Sequence, residues 1–355
     1  MSLEDYGWND FFIHAFEELE AAGDDRLEPG RVVLAAGGSY RLATRKGEVV
    51  TSLSGRFRHR AQGGEDFPAV GDWVALDANG SRIEHLLPRR TKLSRKAAGK
   101  RTGEQVVAAN VDLAFVVMGL DSDFNPRRLE RFLATVWESG ASPVVVLSKL
   151  DLCPEAPQRV REIEELAVGA DVVASSAVDG RGIEELSTRL RPRETSVLVG
   201  SSGVGKSTLV NRLMSREVQK TRDVRESDSR GMHTTSHREL FVLPGGALLV
   251  DNPGVREIQL FGGEESLERT FEDVAALAAE CRFRDCTHRT EPGCAVAAAV
   301  ASGSLSEARL ESFRALEKEL HYLRLRQDES ARRLEKQKWR AIHREMKRSG
   351  RHRRT

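Results

Sequence analysis

The run Gly200-Ser201-Ser202-Gly203-Val204-Gly205-Lys206-Ser207-Thr208 is the segment best equipped for chemistry. It follows the apolar residues Ser-Val-Leu-Val and opens the helix-like Thr208-Leu-Val-Asn-Arg-Leu-Met214. Glycines at such a strand-to-helix junction let backbone N–H groups converge on phosphate oxygens. The Lys206 ammonium can then reach β- and γ-oxygens, and the Ser207 hydroxyl can ligate Mg²⁺. Average composition yields the pattern about once in a hundred chains of this length. With the strand and the helix in place, it reads as a nucleoside triphosphate site. Downstream, Asp251-Asn252-Pro253-Gly254 ends the apolar run Ala-Leu-Leu-Val. A nucleotide switch needs an Asp near Mg²⁺ and a glycine amide facing the γ-phosphate at that place. Between the two lies the polar stretch 218–238 with Gly231-Met-His233-Thr234-Thr235-Ser236, hydroxyl-rich enough to close on Mg²⁺ and the γ-phosphate.

The base site decides between ATP and GTP. Ser148-Lys149-Leu150-Asp151 ends the apolar run Pro-Val-Val-Val-Leu, and Ser175-Ser176-Ala177 ends Asp-Val-Val-Ala. A carboxylate at Asp151 can accept both the N1–H and the N2 amino protons of guanine, a donor pair that adenine lacks. Lys149 can lay its stem along the base, and the Ala177 amide can donate to O6. Each motif is common by itself. On successive strands of one sheet they point to guanine.

A third constellation is Cys281-x₄-Cys286-x-His288-x₅-Cys294, which holds three of the four cysteines. In an intracellular chain this density favours a metal over disulfides. Three thiolates and an imidazole suit a closed tetrahedral Zn²⁺ site with a structural role, and the metal contributes folding energy to a segment too small to hold itself together. Cys153 reads as a free thiol.

The elements that must position these groups follow from patterning. From Arg31 to about Leu93, five short alternating runs between Gly, Asn and Pro predict a small β-barrel. A basic polar linker, residues 88–105, follows. Buried-type strands then alternate with helical patterns such as Arg127–Ser139 and Gln158–Leu166, the signature of a doubly wound parallel sheet. Trp8–Leu19 predicts an amphipathic helical extension, and Ala-rich helices surround the Cys/His cluster. The division expected is a helical extension 1–29, an OB-like barrel 30–95, an α/β P-loop domain 96–262, a helical zinc-binding domain 263–320 and a basic helical tail 321–355.

The net charge of +1 conceals an uneven distribution. Residues 322–355 carry 13 Lys and Arg against 4 Asp and Glu, which leaves the rest of the chain acidic. A basic arm on an acidic body points to a polyanion partner, the alternative being a solvated, charge-rich helix. No run approaches the roughly 20 apolar residues of a membrane span, and the acidic start lacks the features of a signal peptide. The expectation is a cytoplasmic monomer with no membrane partner.

The order of motifs is itself informative. Base motif (Ser148 to Asp151), second base motif (Ser175 to Ala177), phosphate loop, switch threonines and Asp251 to Gly254 together resemble the circularly permuted GTPases. With the preceding barrel, the segment Gln105-Val-Val-Ala-Ala-Asn110-Val-Asp112 and the cysteine cluster, the chain looks like the ribosome small-subunit-dependent GTPase A family, from about Gly30 to about Cys294. The resemblance implies a GTPase that grips the small ribosomal subunit and its rRNA late in maturation, with hydrolysis to GDP timing release. Two other classes stand beside it: an RNA-binding module that keeps GTP as a structural ligand, and a switch acting on the large subunit or on a non-ribosomal RNA. RNA contact would rest on phosphates, through Arg56, Arg58, Arg60, the linker and the tail. Where Ras-like enzymes place a glutamine this chain has Val255, so hydrolysis by the free protein is expected to be slow. The resemblance places a substitute at His233, whose imidazole would position the attacking water, the alternative being a histidine that packs or touches RNA. It favours Thr234 over Thr235 as the Mg²⁺ ligand. The family's base motif begins with Asn where this chain has Ser148, which puts nucleotide affinity in question, and Asn252 departs from the family's Asp-Thr-Pro-Gly.

Overall fold

The computed structural model describes residues 1–21, 27–96, 104–214, 238–251, 264–289 and 291–327, in two compact units, Met1–Gln259 and Leu260–Thr355. In the first unit, the apolar positions of the amino-terminal segment lie on one face of helix α1 (Asp10–Ala21), which buries Phe12 and Phe16. These residues and Trp8 pack around the fully buried Trp73, with the Trp8 and Trp73 ring centroids 4.6 Å apart. Trp73 starts the fourth barrel strand. The extension is therefore part of the barrel's packing, a tie that amphipathicity alone did not reveal.

The five alternating runs form strands β1 (Glu28–Ala36), β2 (Ser39–Thr44), β3 (Gly47–Leu53), β4 (Trp73–Leu76) and β5 (Arg82–Leu86). Pairing runs β1-β2-β3-β5-β4, and β4 returns to β1 with Glu28 opposite Leu76, so the barrel closes. Closure leaves no free edge, and the interior fills with Val32, Tyr40, Leu42, Leu53, Phe57, Val74, Leu76 and Ile83. Tyr40, Phe57 and Trp73 are thus core residues, while Phe67 is exposed. Helix α2 (Gly55–Arg60) follows β3; the Ser54 hydroxyl caps it by accepting from the Phe57 amide. Phe57 faces the barrel, whereas Arg56, Arg58 and Arg60 are exposed.

The stretch that reads as a linker contains two strands, β6 (Lys92–Lys96) and β7 (Glu104–Ala109), paired antiparallel. Charged residues hide the alternation of β6, where Leu93 and Ser94 are buried. Beyond it, β8 (Leu113–Gly119), α3 (Pro126–Ser139), β9 (Ser142–Ser148), α4 (Ala156–Leu166), β10 (Asp171–Ala174), α5 (Ile183–Thr188), β11 (Thr195–Gly200) and α6 (Lys206–Leu213) build the α/β part. It is completed by β12 (Arg238–Val242) and β13 (Leu248–Asp251). Strands β10-β9-β8-β11-β13 are parallel, and β12 adds antiparallel to β13. Their centres are apolar throughout because helices cover both faces.

Strand β12 also pairs with β1, Leu34 opposite Glu239, so the barrel and the α/β sheet share one ladder of eleven strands. An ion pair between Arg41 on β2 and Glu239 reinforces this junction. Arg31 lies on the same strand β1, with only 2% of its surface exposed. Its guanidinium donates to the carbonyls of Tyr6, Gly71 (3.2 Å) and Asn110 (3.4 Å) and to the Thr195 hydroxyl (2.7 Å). Burial lowers its pKa to about 10, opposed by the charges of Asp112 and Asp72. One side chain thereby joins the extension, the barrel, the Asn110 turn and β11. Arg31→Met, which keeps the volume but strands those acceptors, is expected to cost about 3 kcal/mol of stability in urea denaturation, with α1 becoming more open to proteolysis.

Candidate nucleotide site and zinc centre

Strands β9, β10, β11 and β13 end on the same edge of the sheet, and each delivers one of the motifs picked out by residue type. Gly200 closes β11 at φ +146°, where a Cβ would come within 2.2 Å of the Val117 carbonyl oxygen, so a glycine is required for the loop to leave the sheet so close to β8. Ser201, Ser202 and Gly203 follow, and then Val204, fully buried among Phe115, Val117, Leu209 and Val210. This apolar anchor holds the centre of the loop. Gly205 precedes α6, whose first turn carries Lys206, Ser207 and Thr208. The Lys206 ammonium donates to the carbonyls of Gly200 (2.8 Å) and Ser201 (2.5 Å) across the loop mouth. A glycine-containing loop that runs into a helix N-terminus beside a lysine can cradle an anion.

Ser148 ends β9 and is buried. Its hydroxyl lies 2.6 Å from the carbonyl oxygen of Val204, to which it donates, and 3.3 Å from that of Met118. The serine thus ties the end of β9 to the loop between β11 and α6. Lys149 adopts the left-handed conformation at φ 61°, uncommon outside glycine, and its ammonium pairs with Asp121 at 2.6 Å. Burial pushes the Asp121 carboxyl up, but the hydrogen bonds from Lys149 and from the Asp123 amide outweigh it and hold the group below the usual carboxylate range. The ion pair holds the lysine stem in place. Asp121 carries no motif and was not foreseen; its only sequence signal is its position just after an apolar strand.

Asp151 is exposed, and one of its carboxylate oxygens accepts from the buried Ser176 hydroxyl at 2.6 Å. Ser176 in turn accepts from the amides of Val178 and Asp179, both at 3.2 Å, which folds residues 175–181 into a tight loop beside Asp151. Arg212, in the last turn of α6, donates to the carbonyls of Ala177 (2.9 Å) and Val178 (3.1 Å). Asp251 ends β13 opposite Glu239. Ser148, Lys149, Asp151, Ser176, Ala177, the loop Gly200–Thr208 and Asp251 are therefore brought to one edge. Cys153, close by, is buried with a free thiol. His233, Thr234, Thr235, Asn252, Gly254 and Val255 lie outside the described residues, as does the tail beyond Gln327.

In the second unit, α7 (Glu264–Thr270) and α8 (Glu272–Ala279) precede the cysteine loop, and α9 (Ala295–Ser302) and α10 (Glu307–Gln327) follow it. The ligating atoms of Cys281, Cys286, His288 and Cys294 all lie within 4.8 Å of one another. Tetrahedral zinc with ordinary Zn–S and Zn–N bonds sets neighbouring donors about 3.5–3.8 Å apart. Here the Cys281 and Cys294 sulfurs are 3.9 Å apart, and each is 3.6 Å from His288 Nδ1. Four such donors fit a structural zinc with no open position. The protein shapes the loop independently. The Glu291 carboxylate accepts from the amides of Thr287 (3.0 Å) and Arg289 (2.8 Å) and from the Thr287 hydroxyl, and Arg314 on α10 holds the His288 carbonyl. Cys294 also caps α9, its sulfur accepting from the Ala297 amide at 3.3 Å, so one residue serves both the cluster and the start of the helix.

Residues 86–261 match the RsgA GTPase family. The small ribosomal subunit biogenesis GTPase RsgA of Syntrophotalea carbinolica is 45% identical, the match covering 98% of each chain. Among solved structures, YjeQ from Thermotoga maritima is similar at a TM-score of 0.62 and 29% identity, over 83% of this chain and 98% of that one. The circularly permuted GTPase YloQ shares the fold at a TM-score of 0.60 and 24% identity, over 84% of this chain and 96% of that one.

Removal of one zinc ligand leaves three donors around a metal that needs four. Cys281→Ser is expected to lower bound zinc from one equivalent to near none by metal analysis and to loosen α8 and α9 by hydrogen exchange, while the first unit keeps its unfolding midpoint.

Proposed function

This chain belongs to the RsgA GTPase family, and from that membership we propose that it binds the small ribosomal subunit and hydrolyses GTP to GDP and phosphate late in the subunit's maturation. The observation that carries this reading is a pair of hydrogen bonds at the strand ends: Ser148 on the Val204 carbonyl, and Ser176 on Asp151. A base loop and a phosphate loop held in one frame are what a guanine nucleotide requires.

In that frame Asp151 accepts the N1–H and N2–H protons of guanine, Lys149 lies along the base and the Ala177 amide donates to O6. The amides from Gly200 to Thr208 hold the phosphates, with Lys206 on the β- and γ-oxygens. Mg²⁺, which neutralises the developing charge on the transferred phosphoryl group, would be held by Ser207 and Thr234, with Asp251 close by. Gly254 would meet the γ-phosphate, and His233 would orient the attacking water. The exposed Arg56, Arg58 and Arg60 on α2 offer phosphate contacts to rRNA from a closed barrel whose aromatic residues are largely internal. Zinc keeps the second unit folded and takes no part in hydrolysis. Among the described residues no helix is long and apolar enough to cross a membrane, which accords with work on ribosomes in the cytoplasm.

The test is GTP turnover by the full-length protein alone, with small subunits and with large subunits. The free protein is expected to be slow. Small subunits should raise the rate strongly at low salt, with stimulation falling as salt displaces phosphate contacts. Equal stimulation by large subunits would overturn the partner, and none by either would overturn the switch. His233→Ala should lose most of the stimulation while GTP affinity stays close to wild type, because an in-line water matters chiefly in the transition state. Asp151→Asn is expected to weaken GTP binding by at least about 2 kcal/mol and to narrow the preference over ATP, measured by competition against labelled GTP.

A further inference from the structure

We propose that Arg212 is the positioning residue for the backbone amide that reads the guanine O6 atom, an inference that rests on the base site described above. The amides of the loop after β10 are almost all engaged. Ser175 donates to the Leu147 carbonyl, Ser176 to the Arg181 carbonyl, Val178 and Asp179 to the Ser176 hydroxyl, and Gly180 to the Ser176 carbonyl. The Ala177 amide, half-buried in the middle of this series, donates to no group among the described residues. From Ser175 to Arg181 it is the one amide without an acceptor among the described residues.

Its direction is set from both sides. On one side, the Ser176 hydroxyl bridges Asp151 and the two following amides. On the other, Arg212 Nε holds the Ala177 carbonyl at 2.9 Å and Nη2 holds the Val178 carbonyl at 3.1 Å. Two adjacent carbonyls gripped by one planar fork cannot rotate independently, so the peptide units on either side of Val178 are fixed, while the Gly180 amide on the Ser176 carbonyl holds the unit that carries the Ala177 N–H. A lysine would offer a point charge in place of the fork. Arg212 also sits on the helix whose first residue is Lys206, so the same rigid element carries the phosphate lysine at one end and the clamp on the base loop at the other. The distance between phosphate contact and O6 contact is thereby set within α6.

Arg212 is exposed, so water competes for its two hydrogen bonds, and the expected loss on removing them is about fivefold in affinity. Binding is measured on the full-length protein and on its Arg212→Ala and Arg212→Lys variants with three probes: GTP, inosine triphosphate and 2-aminopurine riboside triphosphate. GTP and inosine triphosphate both carry O6; the 2-aminopurine nucleotide has hydrogen there. Arg212→Ala should weaken the first two by the same factor and leave the third unchanged, with Arg212→Lys between wild type and Ala. Unchanged GTP affinity, or an equal loss for all three nucleotides, would overturn the proposal. If the wild-type protein instead bound ATP as tightly as GTP, the base-site assignment itself would fall, an outcome distinct from failure of the clamp.

Discussion

A guanidinium taken wholly out of water is the constraint on which the first unit depends. Arg31 has no carboxylate within its hydrogen-bonding set; its donors are spent on three backbone carbonyls and one hydroxyl. Neutral acceptors can balance a buried charge only if several converge, and here they come from four places in the chain: the carbonyls of Tyr6, Gly71 and Asn110 and the hydroxyl of Thr195. Each must arrive in a fixed conformation. Gly71 does so at φ +92°, with the Ala109 carbonyl oxygen 2.1 Å from where a Cβ would be, and Asn110 does so at φ 54°. The Asn110 side chain then completes the joint by donating to Gly71 and accepting from the Arg90 amide. The cost of burying the charge makes any looser arrangement of these segments unfavourable, which is how a single arginine can fix the relation of barrel to sheet.

The second consequence concerns the edge of the α/β sheet. Strand β12 would be an open edge, with unpaired backbone groups along one side, had β1 not covered part of it. Because β12 pairs on its other side with β13, the register of Asp251 against Glu239 is set through the same strand that meets the barrel. Glu239 therefore lies opposite both Leu34 and Asp251 and accepts the Arg41 ion pair as well. The hairpin β12–β13 stands between residues 215–237 and 252–263, the segments to which motif order assigns the Mg²⁺ threonine, the water-orienting histidine and the γ-phosphate glycine. Its position is fixed by neighbours on both sides.

Much of this was legible in the sequence, and the exceptions share a cause. The barrel strands, the alternating strands and helices, the phosphate loop and the zinc ligands announce themselves through periodicity or through residue types at fixed spacing. Strand β6 did not, because its buried Leu93 and Ser94 sit in a run otherwise charged. Strand β12 did not either, since among its residues Leu240 alone is buried and the strand is held by its ladder partners. Arg31 reads as a polar residue at the start of an apolar strand. Its meaning resides in Thr195, 164 residues away, and no local pattern carries that. Ser148 was read as a departure that put affinity in question; its bond to the Val204 carbonyl depends on how deeply Val204 is buried, which fixes that carbonyl where a short hydroxyl can reach it.

The contacts that hold the loops of the candidate nucleotide site to one another run between segments distant in the chain, which is compatible with motifs in permuted order. Ser148 meets Val204 across 56 residues, Ser176 meets Asp151 across 25, and Arg212 meets Ala177 across 35. None of these contacts requires the chain to run from phosphate loop to base loop. Each requires only that β9, β10 and β11 end at the same edge, with β8 between β9 and β11. That order is fixed by the burial of apolar strands between two helical layers, a condition indifferent to where the chain begins. Permutation does change what lies at the new start of the domain. The strand β8 is entered directly from the Asn110–Asp112 turn, where the Asp112 carboxylate accepts from the Thr195 amide at 2.8 Å. The first residues of the rearranged domain are thus tied both to the strand that carries the phosphate loop and to the barrel through Arg31. The freedom gained by cutting the chain at this point is spent on fastening a second module next to the nucleotide sheet.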